Sequence, residues 1–93
     1  MNSVATPMAA KLTKEELSYK AQFSHALEPF KVMLVNKRNE LSFDDWLAFI
    51  QRLKEGILKN PDQYLGSELP KLDTLQNLIS MIFEEFIQNE LAR

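Results

Sequence analysis

Residues 72–87 read LDTLQNLISMIFEEFI, and apolar side chains recur in this segment at intervals of three and four. The apolar positions are Leu72, Leu75, Leu78, Ile79, Ile82, Phe83, Phe86 and Ile87. This spacing places them on one side of an α-helix, because a helix completes a turn in about 3.6 residues. The segment therefore predicts a long helix that faces a hydrophobic core and reaches almost to the C-terminus. Ile79, Ile82, Phe83 and Phe86 are expected to be the most buried group in the chain.

A second long helix is predicted between Ser42 and Asn60. Ser42 is a favourable N-cap, and Asp45 stands where an acidic residue completes a capping box. The helix ends at Asn60 because Pro61 pushes the residue before it out of the α region. Its broad apolar face consists of Phe43, Trp46, Leu47, Ile50, Leu53, Ile57 and Leu58, with Phe49 at the margin. The residues expected to face the C-terminal helix, in antiparallel packing, are Ile50, Leu53 and Ile57.

The first helical segment begins at Thr13, where Thr13 and Glu16 have the spacing of a capping box. A narrow apolar stripe follows, made of Tyr19, Phe23, Ala26, Leu27, Phe30 and Leu34. Pro29 interrupts the segment, because proline removes one backbone hydrogen bond and clashes with the preceding turn. Two structures are compatible with this pattern: one bent helix over residues 14–38, which the continuous stripe favours, or two shorter helices that meet near Glu28.

These segments predict an all-α protein, a small bundle of three long helices in which the first is kinked or broken at Pro29. Residues 1–12 are expected to form a flexible N-terminal tail, and residues 13–93 a single helical domain. The connector at residues 60–70 is rich in turn-forming residues and is long enough to reverse the chain. Two glycines and four prolines among 93 residues are too few for an all-β fold built from many tight turns.

Residue types that carry most enzyme chemistry are scarce. The chain has no cysteine, which excludes a thiol nucleophile, a thiolate metal site and a disulfide, and His25 is its only histidine. The carboxylate pairs Asp44–Asp45 and Glu84–Glu85 join neighbouring positions, which point about 100° apart on a helix and do not converge. We therefore predict that the protein is not an enzyme and has no catalytic residue, metal site, cofactor or small-molecule substrate.

Charge and hydropathy constrain the compartment and the partner. The net charge is −2, with six Lys or Arg against four Asp or Glu in residues 1–40. The N-terminal sequence lacks the basic and apolar regions of a secretory signal, and no stretch approaches the roughly 18 apolar residues that span a membrane. These features predict a cytoplasmic protein without a membrane span. The basic segment 31–38, with Lys31, Lys37 and Arg38, supports an alternative function as a nucleic-acid-binding regulator, although nucleic acid is the less favoured partner.

The apolar surface of the second and third predicted helices is wider than an ordinary surface helix requires. The narrow stripe of the first helix does not obviously cover both wide faces, so part of this surface is expected to be covered by another chain. We therefore predict a non-enzymatic protein–protein interaction module, an adaptor, regulator, assembly factor or inhibitor, that binds another protein or a second copy of itself. The predicted partner-binding residues are Phe43, Trp46, Phe49, Leu78 and Met81.

Overall fold

The computed structural model describes residues 12–93, which form five α-helices and no strand. The helices are α1 (Lys14–Ala26), α2 (Glu28–Arg38), α3 (Phe43–Lys59), α4 (Pro61–Leu65) and α5 (Leu72–Leu91). The all-α prediction is confirmed, whereas the prediction of three long helices is wrong in number. The predicted tail at residues 1–12 falls outside the described residues except for Leu12, which is partly buried and packs against the core.

The segment around Pro29 forms two helices, which resolves the choice left open by the sequence. Leu27 separates α1 from α2, and Pro29 lies in the first turn of α2. In that turn a missing amide hydrogen costs little, because the first amides of a helix have no partner within it. The amide of Leu27 still bonds to the carbonyl of Phe23, at 2.9 Å. The break between the two helices therefore costs little hydrogen bonding, and Leu27 is fully buried at the junction.

The predicted starts of α1 and α3 are confirmed. The Thr13 hydroxyl accepts a hydrogen bond from the Glu16 amide, and the Glu16 carboxylate accepts one from the Thr13 amide, both at 3.0 Å. Ser42 accepts from the amide of Asp45 at 3.2 Å. Each cap satisfies amides that would otherwise lack a partner at the helix end, which fixes the position where the helix begins.

The connector after α3 contains the short helix α4 and then turns into α5. Gly66 follows α4 with φ 98° and ψ 174°, a backbone conformation that is almost restricted to glycine. α5 begins at Leu72, and Lys71 at its N-cap position makes no side-chain capping bond. The connector thus reverses the chain, and it also adds Leu65 to the core.

The hydrophobic core lies where α5 packs against both α1 and α3. Ile79, Ile82, Phe83 and Phe86 are all buried, with at most 9% of any of them exposed, but the prediction that they are the most buried group in the chain is wrong. They are not the only group buried to this degree. Residues that are at least as enclosed as Ile82 and Phe86 include Leu75 and Leu78 of α5 and, elsewhere in the fold, Phe23, Leu27, Leu34, Trp46, Ile50 and Ile57. α2 and α4 also pack against α3, so the wide face of α3 is covered from several directions.

Candidate functional site

The N-terminal half of α3 forms one corner of the fold around Trp46. The indole of Trp46 is fully buried, and its Nε1 donates a hydrogen bond of 2.8 Å to the carbonyl of Leu34 in α2. Its ring lies 6.1 Å from that of Phe86, centroid to centroid. Trp46 therefore joins α2, α3 and α5, and its side chain offers no surface to a partner in this fold.

A charged layer covers the outer side of this corner. The guanidinium of Arg38 lies 5.6 Å from the centroid of the Trp46 ring, within cation–π range. The same group donates to the backbone carbonyl of Glu90 at 2.7 Å and to its carboxylate at 3.2 Å. Glu90 is only 6% exposed and also pairs with Arg93. Arg38 thereby ties the end of α2 to the end of α5 and gives a buried carboxylate its counter-charge.

Phe43 is the exposed aromatic side chain beside this corner. It stands in the first turn of α3 with 49% of its surface exposed, and its ring centroid lies 6.2 Å from that of Trp46. Phe43 therefore lies on the apolar face of α3, as its position in the helix predicted. It stands beyond the end of the core, however, and stays half-exposed. A large apolar ring is therefore exposed beside the buried, hydrogen-bonded Trp46.

A shallow groove of about 340 Å³ lies between the end of α2 and the outer face of α3. It is lined by Lys37, Leu41, Asp45, Phe49 and Arg52. Leu41 and Phe49 are partly buried and pack against the core, so they form an apolar floor, and the three charged residues surround it. Phe49 was predicted from the sequence, whereas Leu41 and Arg52 were missed as groove residues. The signal was present, because positions 45, 49 and 52 share one helix face.

Two other predicted partner-binding residues lie on α5. Leu78 is fully buried in the core, and Met81 is partly buried. The five predicted residues therefore do not form one continuous surface. Phe43 and Phe49 keep exposed area on α3, Met81 keeps some on α5, and Trp46 and Leu78 support the fold from within. The other exposed large apolar side chains are Leu17, Val32, Val35, Tyr64, Leu72 and Leu91.

The basic segment 31–38 is paired with carboxylates and does not form a continuous positive strip. Lys31 lies 3.3 Å from Glu28 and donates to the hydroxyl of Ser24 at 2.6 Å. Lys37 lies 3.3 Å from Glu40. Since Arg38 is directed to Glu90, each cation of the segment already faces an acidic residue.

The remaining polar candidates are spread over the surface. His25 is exposed in the last turn of α1, and Glu85 pairs with Lys20 across α1 and α5 at 2.6 Å. Within residues 12–93, no group of acidic and histidine side chains is arranged to hold a metal ion. None of the helices in the described part of the chain has the length and apolarity needed to cross a membrane.

Comparison with known proteins finds no similar protein. No protein-family model, no curated protein and no solved structure matches the chain.

Proposed function

We propose that the protein is a non-enzymatic interaction module, an adaptor, regulator, assembly factor or inhibitor, that binds another protein through the surface of α3. One observation carries the proposal: the N-terminal half of α3 keeps Phe43 half-exposed and Phe49 in an open groove, around a fully buried Trp46. Buried large apolar residues are expected in any core, so only the exposed ones bear on a partner. The cytoplasm stays the expected location.

The structure of this corner suits binding in two physical ways. Aromatic side chains are enriched among the residues that dominate binding energy, and covering the exposed half of Phe43 would contribute on the order of 1 kcal/mol. The supporting tryptophan is hydrogen-bonded to α2, so the first turn of α3 does not need to become ordered when a partner binds. Preorganisation of this kind lowers the entropy cost of association.

Site-directed photo-crosslinking in cells of the source organism tests the proposal. A photoreactive phenylalanine analogue replaces Phe43 in one variant and Phe49 in a second, and it replaces the exposed α1 residue Gln22 in a matched control. We expect the two α3 variants to capture the same protein, or a second copy of the chain, and the control to capture neither. Equal labelling from all three positions, or none from Phe43 and Phe49, would refute a partner surface on α3.

Nucleic-acid binding, the alternative function, has less support from these contacts. Its three cations are directed to different acidic residues, Glu28, Glu40 and Glu90, and do not form the continuous positive strip that a phosphate backbone requires. A gel-shift assay with single- and double-stranded DNA and RNA at low salt distinguishes the two functions. Retardation that weakens steeply with added salt and is lost in Lys31→Glu would favour the alternative.

A further inference from the structure

We propose that the groove lined by Lys37, Leu41, Asp45, Phe49 and Arg52 binds an acidic segment of a partner protein. One apolar side chain of that segment enters the groove, and the segment's carboxylates lie on either side of it. This inference rests on the proposed function and names the chemistry of the partner. Leu41 and Phe49 supply the apolar floor, and Lys37 and Arg52 supply two positive charges against the single negative charge of Asp45. The five lining residues therefore carry a net charge of +1 in a protein whose net charge is −2, although Glu40, which lies outside the lining, pairs with Lys37 and leaves Arg52 as the lining cation without an ion pair among the described residues.

The charges of the groove are available to a partner to different degrees. Arg52 is exposed and forms no ion pair with another described residue. Lys37 pairs with Glu40, but both side chains are exposed, at 40% and 61%, and such surface pairs contribute about 0–1 kcal/mol. A carboxylate of the partner can therefore replace Glu40 at little cost. Asp45 lies in the first turn of α3, where the positive end of the helix offsets its charge.

The dimensions of the groove favour a peptide anchor over a small-molecule ligand. A volume of about 340 Å³ is at the lower limit of small-molecule pockets, which span roughly 300–1,000 Å³ and enclose most of the ligand. This groove is open to solvent on one side, so a compact molecule bound there would remain partly exposed. An apolar side chain of the partner would contact Leu41 and Phe49, and the carboxylates beside it would contact Lys37 and Arg52. Such a segment matches both the apolar floor of the groove and its positive charges.

Selection of short random peptides displayed on phage, with the folded full-length chain as the target, tests this proposal. The enriched peptides are then synthesised, and their affinity is measured by fluorescence anisotropy against the wild-type chain, Lys37→Glu, Arg52→Glu and the control Lys14→Glu. Lys14→Glu makes the same charge change at an exposed position outside the groove. Circular dichroism verifies that each variant is folded.

We expect acidic peptides with an apolar residue, whose affinity falls about tenfold in Lys37→Glu and in Arg52→Glu and stays unchanged in Lys14→Glu. Their binding to the wild-type chain should also weaken with added salt, since the Debye length shortens from about 10 Å at 0.1 M to 3 Å at 1 M. The salt measurement uses no variant, so it tests the charge argument even if a substitution unfolds the protein.

Several results would overturn the inference. Enrichment of neutral or basic peptides, or equal binding to all four proteins, would refute an acidic partner, and the failure to enrich any peptide would refute a peptide groove. Competition by a single-stranded oligonucleotide would assign the cations to phosphate. A dimer of the isolated chain that dissociates in Arg52→Glu would identify a second copy as the occupant. In each case the crosslinks from Phe43 still decide separately whether α3 has a protein partner.

Discussion

The two glycines of this chain give opposite predictions for the same chemical change. Gly56 lies inside α3, and a Cβ added there would meet no atom within 4 Å. A Cβ added at Gly66 would also meet no atom within 4 Å, but the φ of 98° at Gly66 is one that L-residues rarely adopt. The two alanine substitutions therefore differ only in their effect on the backbone. We expect Gly56→Ala to stabilise the protein and Gly66→Ala to destabilise it.

The magnitudes follow from the two backbone conformations. Glycine inside a helix is less favourable than alanine by about 0.5–1 kcal/mol, because it loses more conformational freedom on folding, so Gly56→Ala should gain that amount. Gly66 combines its positive φ with ψ 174°, a region that costs other residues on the order of 1–3 kcal/mol. For a domain of this size, 1 kcal/mol changes the melting temperature by about 4–8 °C.

Urea denaturation followed by circular dichroism at 222 nm, a wavelength that reports α-helix, measures both changes in the free energy of unfolding. A Gly66→Ala protein as stable as the wild type would show that the connector does not hold Gly66 at positive φ. Destabilisation by Gly56→Ala would show that the surface at Gly56 is covered, and a dependence of that effect on protein concentration would assign the cover to a second copy.

Three further substitutions test the core, a cap and the charged layer, with the free energy of unfolding as the readout. Phe83→Ala should cost about 3–5 kcal/mol, because the ring is 1% exposed, and a loss below about 1 kcal/mol would place it outside the core. Thr13→Ala should cost about 1 kcal/mol through loss of the capping box, whereas the control Ser18→Ala, at an exposed position inside the same helix, should cost nothing and gain up to about 0.5 kcal/mol from helix propensity. Arg38→Ala should cost about 1–3 kcal/mol, since the buried carboxylate of Glu90 loses one of its two cations, and an unchanged stability would show that Arg93 alone suffices.

Local signals in the sequence correctly predicted where α1 and α3 begin and which face of α5 is buried. The Thr13 and Ser42 caps depend on residues three positions away, and the periodicity of α5 depends on neighbours within one or two turns. Interactions between residues so close in sequence can be predicted from the sequence alone. The same reasoning applies to Phe49, whose helix angle predicted a position at the margin of the buried face.

Contacts between distant segments could not be predicted in this way. Arg38 and Glu90 are 52 positions apart, and Trp46 donates to the backbone of Leu34, an acceptor that every residue offers equally. The exposure of Phe43 also depends on tertiary structure, because its helix angle points to the core while its place in the first turn carries it past the core's end. Candidate site residues defined by helix angle alone therefore included both buried and exposed side chains.

Packing among the chain's own helices reduces the apolar surface that is left for a partner. A single straight helix over residues 14–38 would present one narrow stripe, which is too small for the wide faces of α3 and α5. In the structure α1 and α2 each contribute to the core, through Phe23 and Leu34, and α4 adds Leu65. The chain itself thus covers much of the surface that helical periodicity alone assigned to a second protein. The case for a partner now depends on Phe43 and on the groove at Phe49, which stay open after every described helix has packed, and those positions are where a crosslink or a charge reversal is decisive.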